Sequence, residues 1–161
     1  MASPSENTIK KGAEIEISSN DEGFSGSWYE GTVIRPPKNF NKSTNKVLVE
    51  YKTLMEDERG TRRLREEIEL VNLRPSPPSD RRRRRYKLSE EVDAYCNGGW
   101  WGGIITEEVV GNDNKYLVYF RSSREQIDFR ASELRVHREW VRGEWVPPLE
   151  EDDDALQNEV R

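Results

Sequence analysis

Residues 12–75 and 88–136 carry the same features in the same order, and this internal repeat narrows the possible folds more than any other property of the chain. Each copy begins with a short alternating segment, Glu14-Ile15-Glu16-Ile17 in the first and Glu91-Val92-Asp93-Ala94-Tyr95 in the second. A turn then leads to Ser27-Trp28-Tyr29-Glu30-Gly31 or Gly99-Trp100-Trp101-Gly102-Gly103, followed by Thr32-Val33-Ile34 or Ile104-Ile105-Thr106. Next come Lys46-Val47-Leu48-Val49-Glu50-Tyr51 and Lys115-Tyr116-Leu117-Val118-Tyr119-Phe120. Each copy closes around Ile68 or Phe129 and a Leu-Arg pair, Leu73-Arg74 or Leu134-Arg135. Aligning Trp28 with Trp100 also brings Gly31 onto Gly103 and Val33 onto Ile105.

Alternation at period two, broken by turn residues, is the pattern of half-buried strands. The turn signals are Asn20-Asp21-Glu22-Gly23, Asn97-Gly98-Gly99 and Gly111-Asn112-Asp113-Asn114, and no stretch carries a helical stripe. Five short strands in each copy predict an all-β protein of two tandem SH3-like, five-stranded barrels packed together. With 33% hydrophobic residues and a mean hydropathy of -0.99, neither barrel has much core of its own, and each is expected to lean on the other. The expected organisation is a first barrel over residues 9–79, a basic linker over 80–87, a second barrel with a C-terminal tryptophan segment over 88–148, and an acidic, disordered tail over 149–161. Pro75-Ser76-Pro77-Pro78-Ser79 ends the first copy, because proline cannot continue a ladder.

Charge is unevenly placed. Residues 12–34 hold five acids (Glu14, Glu16, Asp21, Glu22, Glu30) and no lysine or arginine, whereas Arg81-Arg82-Arg83-Arg84-Arg85 is an uninterrupted basic run. The formal net charge of -5 suits a basic peptide ligand better than a polyanion. One cysteine (Cys96) and one histidine (His137) make neither a disulfide nor the usual zinc sites. No nucleophile elbow or glycine-rich phosphate loop is present, so a binding module is expected rather than an enzyme, with no cofactor and no metal. The polar first eleven residues and the lack of a long apolar run predict a soluble, intracellular, monomeric protein with no membrane partner.

At this point the residues carry a family likeness. The doubled unit resembles the tandem Agenet domains of plants, Tudor-like members of the Royal superfamily. The likeness rests on residues 22–31 (EGFSGSWYEG), on Asn97-Gly98-Gly99-Trp100-Trp101 and on residues 139–148 (EWVRGEWVPP), and covers residues 9–148. It implies a nuclear chromatin reader, associated with heterochromatin, that binds methylated lysine on histone H3 tails, with dimethylated lysine nine favoured. Some related plant proteins have instead been proposed to handle RNA.

Methylation keeps the charge of a lysine ammonium but removes N–H donors and weakens its hydration. A pocket that selects it needs aromatic faces, which attract a cation without asking for hydrogen bonds, and a carboxylate nearby. The resemblance implies a cage at one rim of a barrel. In the first barrel it maps to Phe24, Trp28, Tyr29 and Tyr51; Ser18 stands where the second copy has Tyr95, and Phe24 is placed to fill that gap. Asp21, Glu22, Glu30 and Glu50 are the candidate acidic peptide contacts, and their crowding makes the first barrel the expected main binder. Tyr95, Trp100, Trp101 and Phe120 form a possible second cage, with Gly102 where the first copy has Glu30. Alternation places Trp28 and Trp100 on the opposite face from their neighbours, so one residue of each pair is expected in the core. The alternative is a nucleic-acid module with the five arginines on phosphates and exposed aromatics stacking on bases. Trp140 and Trp145 are expected to pack back over a barrel or the seam, and His137 to be structural or exposed.

Overall fold

The computed structural model describes residues 6–79, 85–109, 111 and 114–149. The first copy forms β1 (Glu14–Ile17), β2 (Ser27–Arg35), β3 (Lys46–Met55), β4 (Arg63–Glu69) and β5 (Leu73–Pro75), with a 3-10 turn, Leu70–Asn72, ahead of β5. The second repeats the order as β6 (Glu91–Cys96), β7 (Gly99–Val109), β8 (Lys115–Phe120), β9 (Glu125–Arg130) and β10 (Leu134–Val136), again with a 3-10 turn, Ala131–Glu133. Two further strands, β11 (Glu139–Val141) and β12 (Glu144–Val146), make a hairpin, and no α-helix occurs among the described residues. The all-β, doubled architecture read from the sequence is the one found.

Within each copy the first four strands form an antiparallel meander. The 3-10 turn then swings the fifth strand back beside the first, β5 on β1 and β10 on β6. The fourth strand pairs only with the third, so each barrel wall stays open on one side. The bend needed to curl so short a sheet comes from register shifts between Val33 and Arg35 in β2 and between Ile105 and Glu107 in β7, repeat-equivalent positions. The aligned glycines have a steric cause: a Cβ on Gly31 would lie 2.8 Å from Glu50 O, and one on Gly103 2.5 Å from Val118 Cγ1. Between β6 and β7, Asn97 and Gly98 both take positive φ (53° and 80°), as a two-residue hairpin turn requires. Of the third turn signal, Gly111 and Asn114 alone are described.

Alternation sends one face of each sheet inward. Ile15, Ile17, Tyr29, Val33, Val47, Val49, Tyr51, Leu70 and Leu73 build the first core, and Val92, Ala94, Ile105, Tyr116, Val118, Phe120, Phe129 and Leu134 the second. Trp101 packs against both.

The joint between the barrels is a strand pairing. β2 and β7 run antiparallel with Ser27 opposite Trp101 and Trp28 opposite Trp100, and Gly102 N–H donates to Gly26 O at 3.1 Å. Ten strands therefore form one continuous sheet, with the repeat-equivalent tryptophans facing each other where the copies meet. In the C-terminal hairpin Trp140 and Trp145 are cross-strand partners with ring centroids 4.9 Å apart. Arg81 to Arg84 and residues 150–161 lie outside the described residues; Arg85 is exposed.

Candidate functional site

Trp28 and Tyr29 are adjacent in β2, Trp100 and Trp101 in β7, and the pleat sends the members of each pair to opposite faces. Trp28 and Trp100 lie on the outer face of their own sheets, where the other barrel and the C-terminal hairpin cover them. There the protein supplies its own cations. The guanidinium carbon of Arg74 sits 3.8 Å from the Trp28 ring centroid and 5.2 Å from that of Trp145, and Arg135 sits 4.3 Å from that of Trp100. Tyr95 packs edge-on against Trp100 at 5.1 Å, and Trp100 Nε1–H donates to Glu30 Oε1 at 3.3 Å. One face of Trp28 and one of Trp100 are thus taken by resident arginines.

Those arginines belong to a buried ionic chain that was not foreseen from the sequence. Glu16, 1% exposed, accepts from Arg74 Nε (3.0 Å) and Nη2 (2.7 Å) and from Arg135 Nη1 (2.7 Å). Arg135 Nε also donates to Asp93 Oδ2 at 2.9 Å. The imidazole of His137 bridges Asp93 Oδ1 (2.7 Å from Nδ1) and Glu139 Oε1 (2.6 Å from Nε2). Arg74 Nη1 donates to the Arg138 carbonyl at 2.7 Å, tying in the approach to the hairpin. Three carboxylates thus meet two guanidiniums and an imidazole, and charge balances only if His137 is protonated. Its hydrogen bonds to Asp93 and Glu139 outweigh burial and raise it from 6.5 to about 10. Burial pushes the Asp93 carboxyl up, but His137 and Arg135 overcome it and hold the group below its ordinary value.

A pH dependence follows from the direction of these shifts. A histidine raised in the folded state contributes stability that is complete below its unfolded value of about 6.5. That contribution disappears as pH climbs toward about 10. Asp93 and Glu139, both lowered, contribute above the ordinary carboxylate range and lose that contribution in acid. Denaturant titrations of the wild type and His137→Gln across this alkaline window should show their stability difference shrinking as pH rises. A constant difference would mean that the imidazolium is not held by the two carboxylates.

The other members of the tryptophan–aromatic pairs, Tyr29 and Trp101, converge at the seam. Phe24 joins them from the Asp21-to-Ser27 turn. The centroids are 6.2 Å apart for Phe24–Tyr29, 6.1 Å for Phe24–Trp101 and 6.2 Å for Tyr29–Trp101, the last pair nearly perpendicular at 83°. The Tyr29 ring lies over Gly99, where a Cβ would come within 2.7 Å of it. Trp101 is fixed by its indole N–H donating to Cys96 O at 3.1 Å. Beside this cluster opens a concavity of about 280 Å³ whose lining includes Gly23, Cys96, Trp101, Phe120, Ile127 and Glu125. A second hollow of about 270 Å³, lined by Glu91, Arg121 and His137 among others, shares Ser122 with the first.

The remaining candidates have varied surroundings. Tyr51 is buried at 6% exposure, and burial, with Glu66 and Asp21 nearby, raises its hydroxyl pKa. Glu50 pairs with Arg65 at 2.9 Å, and Glu30 accepts from Trp100. Asp21 and Glu22 stay exposed on the turn that carries Phe24. Glu125, the carboxylate at the concavity, was not singled out in the sequence; the signal was its place in the strand just after the loop that follows Phe120.

The model of the Agenet domain matches residues 12–78 and again 89–151. Protein AGENET DOMAIN (AGD)-CONTAINING P1 of Arabidopsis thaliana is 51% identical over 146 residues, which cover 89% of this chain and 28% of that protein. DUF724 domain-containing protein 3 of the same plant is 36% identical over 151 residues, 92% of this chain and 21% of the relative. The chain therefore spans under a third of either relative's length. Among solved structures, AGD34 of Arabidopsis thaliana AGDP1 superposes with a TM-score of 0.75 at 32% identity, covering 87% of this chain and 90% of that one. The tandem Agenet domain 3-4 of ADCP1 gives 0.73 at 30% identity, covering 89% and 91%.

Proposed function

The chain belongs to the Agenet domain family, with two copies in tandem, and from that premise we propose that it is a binding module that takes a methylated lysine of a histone tail into the seam concavity beside Trp101. The observation that carries this reading is the make-up of that hollow. Trp101 and Phe120 line it, Phe24 and Tyr29 pack against Trp101, and Glu125 is the one acidic side chain among its described lining residues. A bulky, poorly hydrated cation suits such walls, with each aromatic face contributing on the order of 0.5–2 kcal/mol. The two lining faces alone fall short of the roughly 8 kcal/mol of a micromolar complex, so flanking contacts are required. Asp21 and Glu22, exposed on the adjoining turn, are suitable for basic residues of an extended peptide. In this reading the cage is shared between the barrels, the partner is a histone H3 tail dimethylated at lysine nine, the setting is nuclear chromatin, and no catalytic step is involved.

The test is a titration with H3 tail peptides that differ only in methylation of that lysine. The dimethylated peptide should bind at least about tenfold more tightly, a difference of about 1.4 kcal/mol. Equal affinity for the unmodified peptide rejects the cage.

A further inference from the structure

The two ends of the first barrel carry opposite charge. Residues 31–49 contain Arg35, Lys38, Lys42 and Lys46 and no acid, directly after the acid-rich stretch that precedes them. β2 runs from one end to the other: its nine residues start at Ser27 beside the seam and finish at Arg35. At about 3.3 Å per residue the basic end lies roughly 25–30 Å from the start of the strand. The N-terminal segment reaches the same end, since Gly12 N–H donates to Val33 O at 2.8 Å and Val33 N–H to Ala13 O at 3.0 Å, bringing Lys10 and Lys11 there. Glu67 and Glu69 engage Arg35 and Lys46, and Glu14 engages Lys52. Lys10, Lys11, Lys38 and Lys42 are exposed and have no ion pair among the described residues; Glu6 is the one further acid in the N-terminal segment described.

The loop that presents Lys38 and Lys42 is held in place. Asn45 Nδ2 donates to both Asn39 O and Asn39 Oδ1 at 2.6 Å, and Val71 N–H donates to Ser43 O at 2.9 Å. Phe40 and Ile9 pack on the first core from the same two segments. Four ammonium groups without an ion pair among the described residues are thus carried on held backbone, with Asn39, Asn41, Ser43 and Thr44 in the same loop and the half-buried Phe40 ring packed against the first core. Such a surface suits a repeating array of phosphates, and its aromatic, Phe40, is turned to the core rather than presented as a stacking platform.

We propose that the Lys10, Lys11, Lys38 and Lys42 end of the first barrel is a docking surface for the phosphate backbone of duplex DNA, on the opposite end of the barrel from the peptide concavity. It uses neither the five-arginine run nor the seam aromatics, and it stands or falls independently of the methyl-lysine reading. Four neutralised phosphates predict a log–log salt slope of about -3.6, a loss of roughly a hundredfold in affinity between about 50 and 200 mM salt.

The experiment measures binding of a short mixed-sequence DNA duplex by the whole chain at several salt concentrations. Lys38→Gln with Lys42→Gln, and separately Lys10→Gln with Lys11→Gln, should each weaken binding several-fold and make the slope shallower by about 2. The quadruple variant should keep the wild-type urea unfolding midpoint, which reports that it is folded whatever peptide the concavity takes. The proposal is overturned if the quadruple variant binds duplex as the wild type does. It is equally overturned if replacing Arg81 to Arg85 alone abolishes the interaction, or if single-stranded RNA outcompetes duplex at equal phosphate.

Discussion

Glu16→Ala is expected to lower the unfolding free energy by about 3–5 kcal/mol, the cost of removing one partner from a buried ion pair. The reason is asymmetry. Arg74 is 2% exposed and loses the carboxylate that meets its Nε and Nη2, so a buried guanidinium is left without its counter-charge. Arg135 loses its contact with the first barrel but keeps Asp93. Small domains have about 5–15 kcal/mol in all, so most of the margin would go, and the loss falls at the joint, since Glu16 sits in β1 and Arg135 in β10. Glu16→Gln, which keeps the volume and one acceptor, should cost less. Glu50→Ala, which removes the half-buried partner of the exposed Arg65, should stay within about 1 kcal/mol. Urea unfolding checks all three; a Glu16→Ala effect no larger than that of Glu50→Ala would mean the ionic chain adds nothing to the joint.

Trp101→Ala is the second large effect, and it falls on binding. If the indole is a wall of the cage, truncation should cost about 2–4 kcal/mol of peptide affinity, roughly thirty- to a thousandfold. Because Trp101 also packs on both cores, the substitution will destabilise the fold as well. Phe24→Ala separates the two contributions: Phe24 is 40% exposed and outside both cores, so its loss should weaken peptide binding with little change in unfolding. Trp28→Ala should do the reverse, removing the platform under Arg74 while leaving the affinity of the folded protein intact. Isothermal titration at a temperature where each variant is folded distinguishes these outcomes. Wild-type affinity in folded Trp101→Ala would move the lysine site elsewhere.

Much of this was legible in the residues because the signals are local. A period of two marks a half-buried strand, and the Trp28-Tyr29 and Trp100-Trp101 dipeptides had to split between two faces. Asn97-Gly98 specifies its turn through backbone conformation, and the aligned Gly31 and Gly103 mark where strands press too closely for a side chain. The ionic chain was less visible although its parts were in plain view: Glu16 and Asp93 interrupt apolar strands at matching places, and Arg74 and Arg135 end matching Leu-Arg pairs. Each residue alone reads as a solvent-facing charge. Only the covering of that face by the other barrel turns it into a buried one.

The same distinction separates what the chain's order of residues decided by itself from what folding decided. Strand identity, the two cores and the face on which each aromatic lies follow from steric and hydrophobic periodicity within one copy, and short-range rules suffice for them. Where Tyr29 and Trp101 meet, why Phe24 closes over them, and why Trp28 and Trp100 hold arginines depend on the pairing of β2 with β7. That pairing joins residues more than seventy positions apart through main-chain N–H and C=O groups, which nearly every residue carries whatever its side chain. Its register is selected by the fit of two finished barrels, so no pattern inside either copy encodes it.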